Sequence, residues 1–502
     1  MHDIVVLSDL HIGRGKNPET GRFHNLETFF YDDDLREFLR WAVNDARGRG
    51  TRIRLVFNGD TFDLLRTEAT PEREASWREQ HFGADPTPPV AAQLVAAILA
   101  GHPVFVEAVT DVLAHGSKVV FLPGNHDIEV QWKPVQDAIR QAVRERLLAR
   151  RADVDEALSR LTFESWFVFE PGRIWIEHGC QYDSENAFRH FLRGRLAEEK
   201  FDAGLLELDL PLGNFFQRYL YNAFGPLTFM VPSTRANARY SRWLLLHEPR
   251  LLFRVIWSHL PFIWQLIRRL ARKRSRERMI LADAHRAELR DLSKSSGLGK
   301  TLEHIERLKM VRGDLLQAAR EYSLQALRAL SIAGAIALAG AGLWFTGFYA
   351  INAIHFGFGA KALLFLALNV LLLAAFGAAM AWALVRPSPP MSPRPQRRAA
   401  QEIVKLLDVP AVTFGHTHEE ALWRLDRPWG GKAWLFNTGT WVAVFTQDEF
   451  LPRERVQLTF LRMIGHEAEL LYWSPGRGEP LPVILLDEMD SESVAAVAEP
   501  SG

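Results

Sequence analysis

Two long stretches of this chain carry no charged side chain: residues 329–354 and residues 362–385. As helices they would extend roughly 36–39 Å each, enough to cross a hydrocarbon layer of about 30 Å. Only residues 355–361 separate them. Runs this long and this apolar are unusual in soluble cores, so residues 329–386 read as a transmembrane helical hairpin. Its flanks are basic: Arg320 and Arg328 precede it, and Arg386, Arg394, Arg397 and Arg398 follow it, while the connecting loop offers only Lys361. The excess of arginine at both outer ends places both flanking parts on the cytoplasmic side. Whatever precedes residue 329 and follows residue 386 can then meet in one compartment.

The first 190 residues have a different pattern. Ile4-Val5-Val6-Leu7, Ile53 to Phe57, Lys118 to Leu122 and Ile174 to Ile176 read as buried strands. Residues 30–46, 90–114 and 134–160 read as helices. Strands alternating with helices predict an α/β layered fold. Residues 191–328 form a helical insertion rich in Leu, Arg and aromatics. Its segment 251–267 carries Trp257 and Trp264 and leads into a cluster running from Arg268 to Arg278. That combination fits an amphipathic helix at an anionic membrane surface, or a helical cap on the preceding domain. Residues 279–327 read as long amphipathic helix with a break near Ser295-Ser296-Gly297. Residues 387–399 read as a Pro-rich linker. Residues 400–486 return to strand patterns at Ala411 to Phe414 and Ala433 to Phe436. Residues 487–502 form an acidic tail of disordered composition.

Composition narrows the function classes. Lys plus Arg and Asp plus Glu both number 60, for a formal net charge of zero. No basic excess marks a dedicated nucleic-acid binder, and none is expected as a partner. A single cysteine, Cys180, excludes an intramolecular disulfide and reads as a packing residue. Nothing in the composition speaks to oligomeric state.

Chemistry concentrates in five short blocks, each just after an apolar strand. In Asp9-Leu10-His11, residues two apart in an extended segment point the same way, so a carboxylate and an imidazole can meet one ion. In Gly59-Asp60-Thr61-Phe62-Asp63, the glycine allows close backbone approach and Asp60 is a candidate bridge between two ions. Asp63 reads as an orienting group or a helix cap. In Gly124-Asn125-His126-Asp127, Asn125 offers an amide oxygen, and His126 can give a proton to a leaving group. Asp127 can hold the His126 ring. His178-Gly179 adds a lone imidazole. Gly415-His416-Thr417-His418 repeats the geometry of the first block, and the turn at Asn437 to Thr440 can close the site. This mixture of carboxylate, imidazole and amide suits Mn, Fe or Zn.

The ordered set Asp-x-His, Gly-Asp-x-x-Asp, Gly-Asn-His-Asp, His-Gly and Gly-His-x-His resembles the calcineurin-like metallophosphoesterase superfamily over residues 1–190 and 400–485. The resemblance implies a two-sheet sandwich flanked by helices, here interrupted by the insertion and the hairpin. It implies two divalent cations, manganese first, with iron or zinc as alternatives. One would be held by Asp9, His11, Asp60 and His418, the other by Asp60, Asn125, His178 and His416. His126 would be the catalytic histidine, assisted by Asp127. The implied reaction is in-line attack of hydroxide on phosphorus.

The chain also resembles, in part, the UDP-2,3-diacylglucosamine hydrolases, from which it differs in carrying His126 where they carry arginine, in its greater length and in its hairpin. With the hairpin, this implies a lipid-linked phosphoester or pyrophosphate as substrate at the cytoplasmic face, with membrane lipids as partners. Two other readings stay open: a tethered phosphoesterase for soluble nucleotides or phosphoproteins, and a non-catalytic metal-binding scaffold.

Overall fold

The computed structural model describes residues 2–17, 19–24, 26–67, 79, 82–84, 87–151, 153–194, 196, 209–222, 264, 275–311, 334–335, 338–385, 394–443 and 456–483. Most of the insertion, the basic cluster from Arg268 to Arg274 and the acidic tail lie outside these residues. The chain divides into two compact units. One comprises Met1–Thr234, Phe253–Arg312 and Met391–Gly502; the other comprises Arg235–Leu252 and Gly313–Pro390.

The first unit is an α/β sandwich of two mixed sheets. Its strands are β1 (Asp3–Leu7), β2 (Ile53–Asn58), β3 (Lys118–Leu122), β4 (Leu161–Phe163), β5 (Phe167–Glu170), β6 (Ile174–Glu177), β7 (Ala411–Phe414), β8 (Glu420–Asp426), β9 (Lys432–Thr438), β10 (Leu458–Ile464), β11 (Glu467–Ser474) and β12 (Glu479–Pro482). One sheet runs β12-β11-β10-β1-β2-β3-β4, the other β5-β6-β7-β9-β8. In the first, β1 to β4 are parallel; in the second, β6, β7 and β9 are parallel. Antiparallel strands close both edges of the second sheet and the β12 edge of the first, whose other edge is the parallel strand β4.

The apolar run at the N-terminus explains why β1 is central. Ile4 and Val6 point between the sheets, where they join Val56, Val120, Ile176 and Phe436. Val5 and Leu7 point outward beneath helices, joining Phe38, Leu39, Val109 and Ile139. A strand buried on both faces needs apolar residues at every position rather than at alternate ones. The outer face of the smaller sheet is covered by Ala400, Ile403 and Val404 of the helix Arg394–Leu407, and by Leu302 and Ile305.

Several sequence expectations change in detail. The helix expected over 90–114 is two helices, Pro88–Gly101 and Pro103–Ala114, bent by 92° at His102. Pro103 starts the second because its ring cannot continue the first. Residues 134–160 likewise divide into Lys133–Ala149 and Val154–Ser159. The break near 295–297 falls after the helix Ser275–Ser295. The linker read over 387–399 is shorter: residues 394–399 already belong to the helix Arg394–Leu407. Pro395 sits in its first turn, where a missing amide costs little, and Ala399, Ala400, Ile403 and Val404 supply its buried stripe.

In the second unit, residues 338–353 are helical and the helix Phe358–Val385 follows after a short turn. The pair packs side by side. Trp344 Nε1 donates to Asn369 Oδ1 at 3.3 Å, and the Phe348 and Phe365 rings lie 5.2 Å apart. Lys361 Nζ caps the carbonyl of Asn352 at 2.9 Å. Among the described residues, one helix, Phe358–Val385, is long and apolar enough to cross a membrane.

Candidate metal centre

All five blocks converge. Asp9 and His11 follow β1, Asp60 follows β2, Asn125 and His126 follow β3, His178 follows β6, and His416 and His418 follow β7. These strands are parallel within their sheets, so their carboxyl ends gather at one end of the sandwich, where loops build sites.

Asp9, His11, Asp60 and His418 each bring one ligand atom within 4.8 Å of the others. Asp60, His178 and His416 do the same. Asp60 is common to both groups: its Oδ2 lies 3.8 Å from His11 Nε2 and 3.2 Å from His178 Nε2. His11 Nε2 and His418 Nε2 stand 3.0 Å apart, with Asp9 Oδ1 3.3 Å from the latter. Asn125 Oδ1 lies 3.3 Å from His178 Nε2. Every one of these residues is buried.

The backbone is bent to make this possible. Asp9, His11, Asp60, His416 and His418 all have positive φ, between 46° and 72°. Left-handed geometry costs a non-glycine residue of order 1–2 kcal/mol. Five such residues represent a strain comparable to a domain's whole stability, about 5–15 kcal/mol, and fixed hydrogen bonds oppose it. His11 N donates to Asp60 O, Asp9 N to Gly59 O, and His416 N to both Asp9 carboxylate oxygens. Thr440 Oγ1 donates to Asp9 O, and the Ser8 and Thr438 hydroxyls meet at 2.6 Å, so the turn after β9 does close the site. Glycine is required at 124 for a different reason, since a Cβ there would lie 2.1 Å from Asp60 Oδ1.

Of the two acids near His126, Asp63 does the orienting and Asp127 has a role other than the one expected. Asp127 accepts amide hydrogens from Asp60, Thr61, Phe62 and Gly124, at 2.7–3.2 Å. It ties the second block to the third and does not touch the His126 ring. The ring is held by Asp63, whose Oδ1 lies 2.9 Å from His126 Nδ1. Sequence adjacency misleads here because the turn after β3 directs Asp127 back into the loop.

Three supporting residues carried no local sequence signal. Asn214 accepts from Asn125 Nδ2 at 3.1 Å and donates to Asn125 O at 2.6 Å, which turns the Asn125 oxygen toward His178. His178 Nδ1 meets Asn58 O at 2.9 Å, leaving Nε2 for a ligand. Asp183 Oδ2 lies 2.9 Å from His416 Nε2. Carboxylates and carbonyls in such positions fix the ring and raise its basicity.

Proton affinities reflect the crowding. Burial opposes charge on His178, but Asp60 and Asp9 hold it up at about 10. Burial likewise opposes His126, which Asp63 and Asp60 hold at about 9. Burial would raise Asp60, yet His178 and His126 keep it well below the usual carboxylate range. Asp127 goes up to about 7 through burial and the Asp60 charge. Burial pushes His11 down.

The donor set fits divalent cations. Asp9, Asp60, Asp63 and Asp127 are fully buried carboxylates, and among the described residues none of them pairs with lysine or arginine. Buried carboxylates need nearby positive charge, which the neighbouring histidines supply here by holding protons and which a cation could supply in their place. Imidazole, carboxylate and amide donors converge where that charge belongs. Cation uptake by such a set displaces protons from the histidines. Searches against protein-family models and curated proteins give no match to this chain, so its assignment rests on the site.

Proposed function

We propose that this chain is a metal-dependent phosphoesterase using two divalent cations, held at the cytoplasmic face of a membrane. The observation that carries the reading is Asp60, one buried carboxylate shared by two convergent ligand groups. Asp9, His11, Asp60 and His418 would hold one ion; Asp60, Asn125, His178 and His416 would hold the other. Manganese suits this mix, with iron or zinc as alternatives. Bound cations of this kind orient phosphoryl oxygens, offset developing charge and lower the pKa of water.

The side chains supply the remainder. Asp63 fixes the His126 tautomer with Nδ1 toward the carboxylate, leaving Nε2 to carry the transferred proton. Asp63 raises the proton affinity of His126, which favours the protonated form a general acid needs. Asp127 sets the spacing of the Asp60 and Asn125 loops through four amides. Asn214 and Asp183 orient Asn125 and His416.

The membrane part of the reading rests on the helix Phe358–Val385 and its neighbour. Leu363, Leu371 and Leu373 are each about 70% exposed, and an uncharged apolar surface of this length is best matched to lipid. A membrane-embedded hydrolase has ready access to a lipid-linked phosphoester or pyrophosphate, which we propose as the substrate class.

Detergent-purified full-length protein with Mn²⁺ should hydrolyse a generic aryl phosphodiester and lose that activity with Asp60→Asn. Absence of turnover in the manganese-loaded protein would sink the enzymatic reading and leave a metal-binding scaffold. A panel of lipid and soluble phosphoesters tests the substrate class, and turnover of soluble esters alone would remove the lipid part. Resistance of the protein to alkaline carbonate extraction from membranes tests the anchor.

A further inference from the structure

The segment that holds both uncharged stretches leaves the first unit after Arg312 and rejoins it at Met391. On each side the neighbouring chain is fastened at the metal-centre end of the sandwich. Met310 N donates to Gln181 O at 2.8 Å, and Gln396 Nε2 donates to Gly179 O at 3.5 Å. Gly179 and Gln181 directly follow the ligand His178. From Gln396 the helix Arg394–Leu407 runs to the opposite end. There Gln401 Nε2 donates to Asp426 O at 2.7 Å, and Arg427 Nε to Asp408 Oδ1 at 2.9 Å. Its 14 residues cover about 21 Å. Only residues 386–393 separate this helix from Phe358–Val385, a reach of at most roughly 30 Å.

The metal-centre end also carries an exposed aromatic pair. Phe23 and Phe30, 39% and 47% exposed, meet edge to face at 4.7 Å. They lie on the loop that leaves the ligands Asp9 and His11 and leads into the helix Asp32–Gly48. One exposed phenylalanine is ordinary, but a stacked pair is an apolar patch. Lys16 Nζ stands 5.0 Å from the centre of the Phe23 ring. Exposed charge here is mixed, with Lys16 and Arg22 set against Glu19 and the acidic first turn of the helix. Aromatic rings among mixed charge suit the boundary between headgroups and acyl chains of a zwitterionic bilayer. A rival is Trp429, 87% exposed in the turn between β8 and β9. That turn precedes β9, which runs parallel to β7, so it lies at the other end of the sandwich. The short connection to Phe358–Val385 selects the end that carries Phe23 and Phe30.

We propose that Phe23 and Phe30 dock the metal-centre end of the sandwich onto the surface of a lipid bilayer. The inference rests on the membrane reading given above and not on the hydrolytic chemistry. Docked in this way, the ligand groups face the headgroup layer, and a phosphoester in that layer reaches them without leaving the membrane.

The test uses full-length protein reconstituted in phosphatidylcholine vesicles, with a fluorophore on Arg22→Cys or, for reference, on Trp429→Cys. Both positions are exposed, and the native Cys180 is buried, so the label goes to the new thiol. Lipids bearing a nitroxide near the headgroup should quench the label on Arg22→Cys at least twofold more than the label on Trp429→Cys. Adding Phe23→Ser together with Phe30→Ser should at least halve that difference. A difference that survives both serine substitutions in full overturns the docking role of the two rings. Equal quenching at the two positions, or stronger quenching at Trp429→Cys, in protein that floats with the vesicles overturns the docking and leaves the anchor standing. Protein that does not float with the vesicles overturns the membrane reading, and the docking with it.

Discussion

Replacing Gly124 with alanine places a methyl group where Asp60 stands. The new Cβ would lie 2.1 Å from Asp60 Oδ1 and 2.5 Å from its amide nitrogen, whereas ordinary contact begins at 3.4 Å. Either the carboxylate and its peptide retreat by about 1 Å, or the Gly124 loop does. The loop is not free to move, because the Gly124 amide donates to Asp127 Oδ1 at 2.7 Å. Misplacing a positioning group by about 1 Å costs on the order of 100-fold in rate, or about 2.7 kcal/mol. Overpacking adds a stability loss of about 1–3 kcal/mol. Gly124→Ala should therefore lower turnover of an aryl phosphodiester about 100-fold and weaken manganese retention, measured by elemental analysis after gel filtration. Gly476→Ala is the control, since its Cβ would meet nothing within 4 Å. A Gly124→Ala protein keeping two manganese ions and turnover within threefold of wild type would refute the reasoning that Asp60 is the shared ligand.

Asp63→Asn should reduce turnover by about 10²–10⁴ while manganese content changes far less, because it removes the partner of the His126 ring. Asp127→Asn should instead lower the melting temperature, since four amides lose their charged acceptor; equal effects from the two variants would contradict the division of roles. His102 lies 2.8 Å from Asp32 and 3.2 Å from Glu27; burial opposes its charge, but the two carboxylates raise it to about 9. A raised folded value gives stabilisation that is complete below the ordinary value of 6.5 and lost as pH rises through about 9. The stability gap between wild type and His102→Gln should shrink by up to about 3 kcal/mol from pH 6 to pH 10, and a pH-independent gap would exclude the charged triad. Chelation at pH 8 should lower the melting temperature, and manganese at 100 times its Kd should restore about 2.7 kcal/mol; an unchanged melting curve would count against a metal centre.

The sequence made the ligand blocks legible because each follows a short, largely apolar strand, and those strands place them. Helix positions were readable to within a few residues, apart from the bend at His102 and the division of 134–160. The antiparallel strands β5, β8, β10, β11 and β12 were not read. Their patterns are broken by residues such as Arg424, Arg462 and Glu469, which face solvent on sheet edges or pair with one another. The supporting residues Asn214 and Asp183 could not be found either. Their partners are 89 and 233 positions away, and only the assembled sandwich brings them together. Asp127 was misassigned for a local reason, since the turn directs it to four amides and leaves the ring to Asp63.

β10 pairs with β1, and β7 lies between β6 and β9. As the chain emerges from the ribosome, β1 and β6 are made first and their partners arrive more than 200 residues later. At about 5–20 residues per second, this leaves both strands with a bare edge for roughly ten seconds or more. Bare apolar edges invite pairing with other chains. His416 and His418 arrive with β7, so neither ligand group is complete during this interval. Synthesis of this protein should therefore depend on chaperones or on prompt delivery to a membrane, and a cation could find the complete ligand groups only at the end.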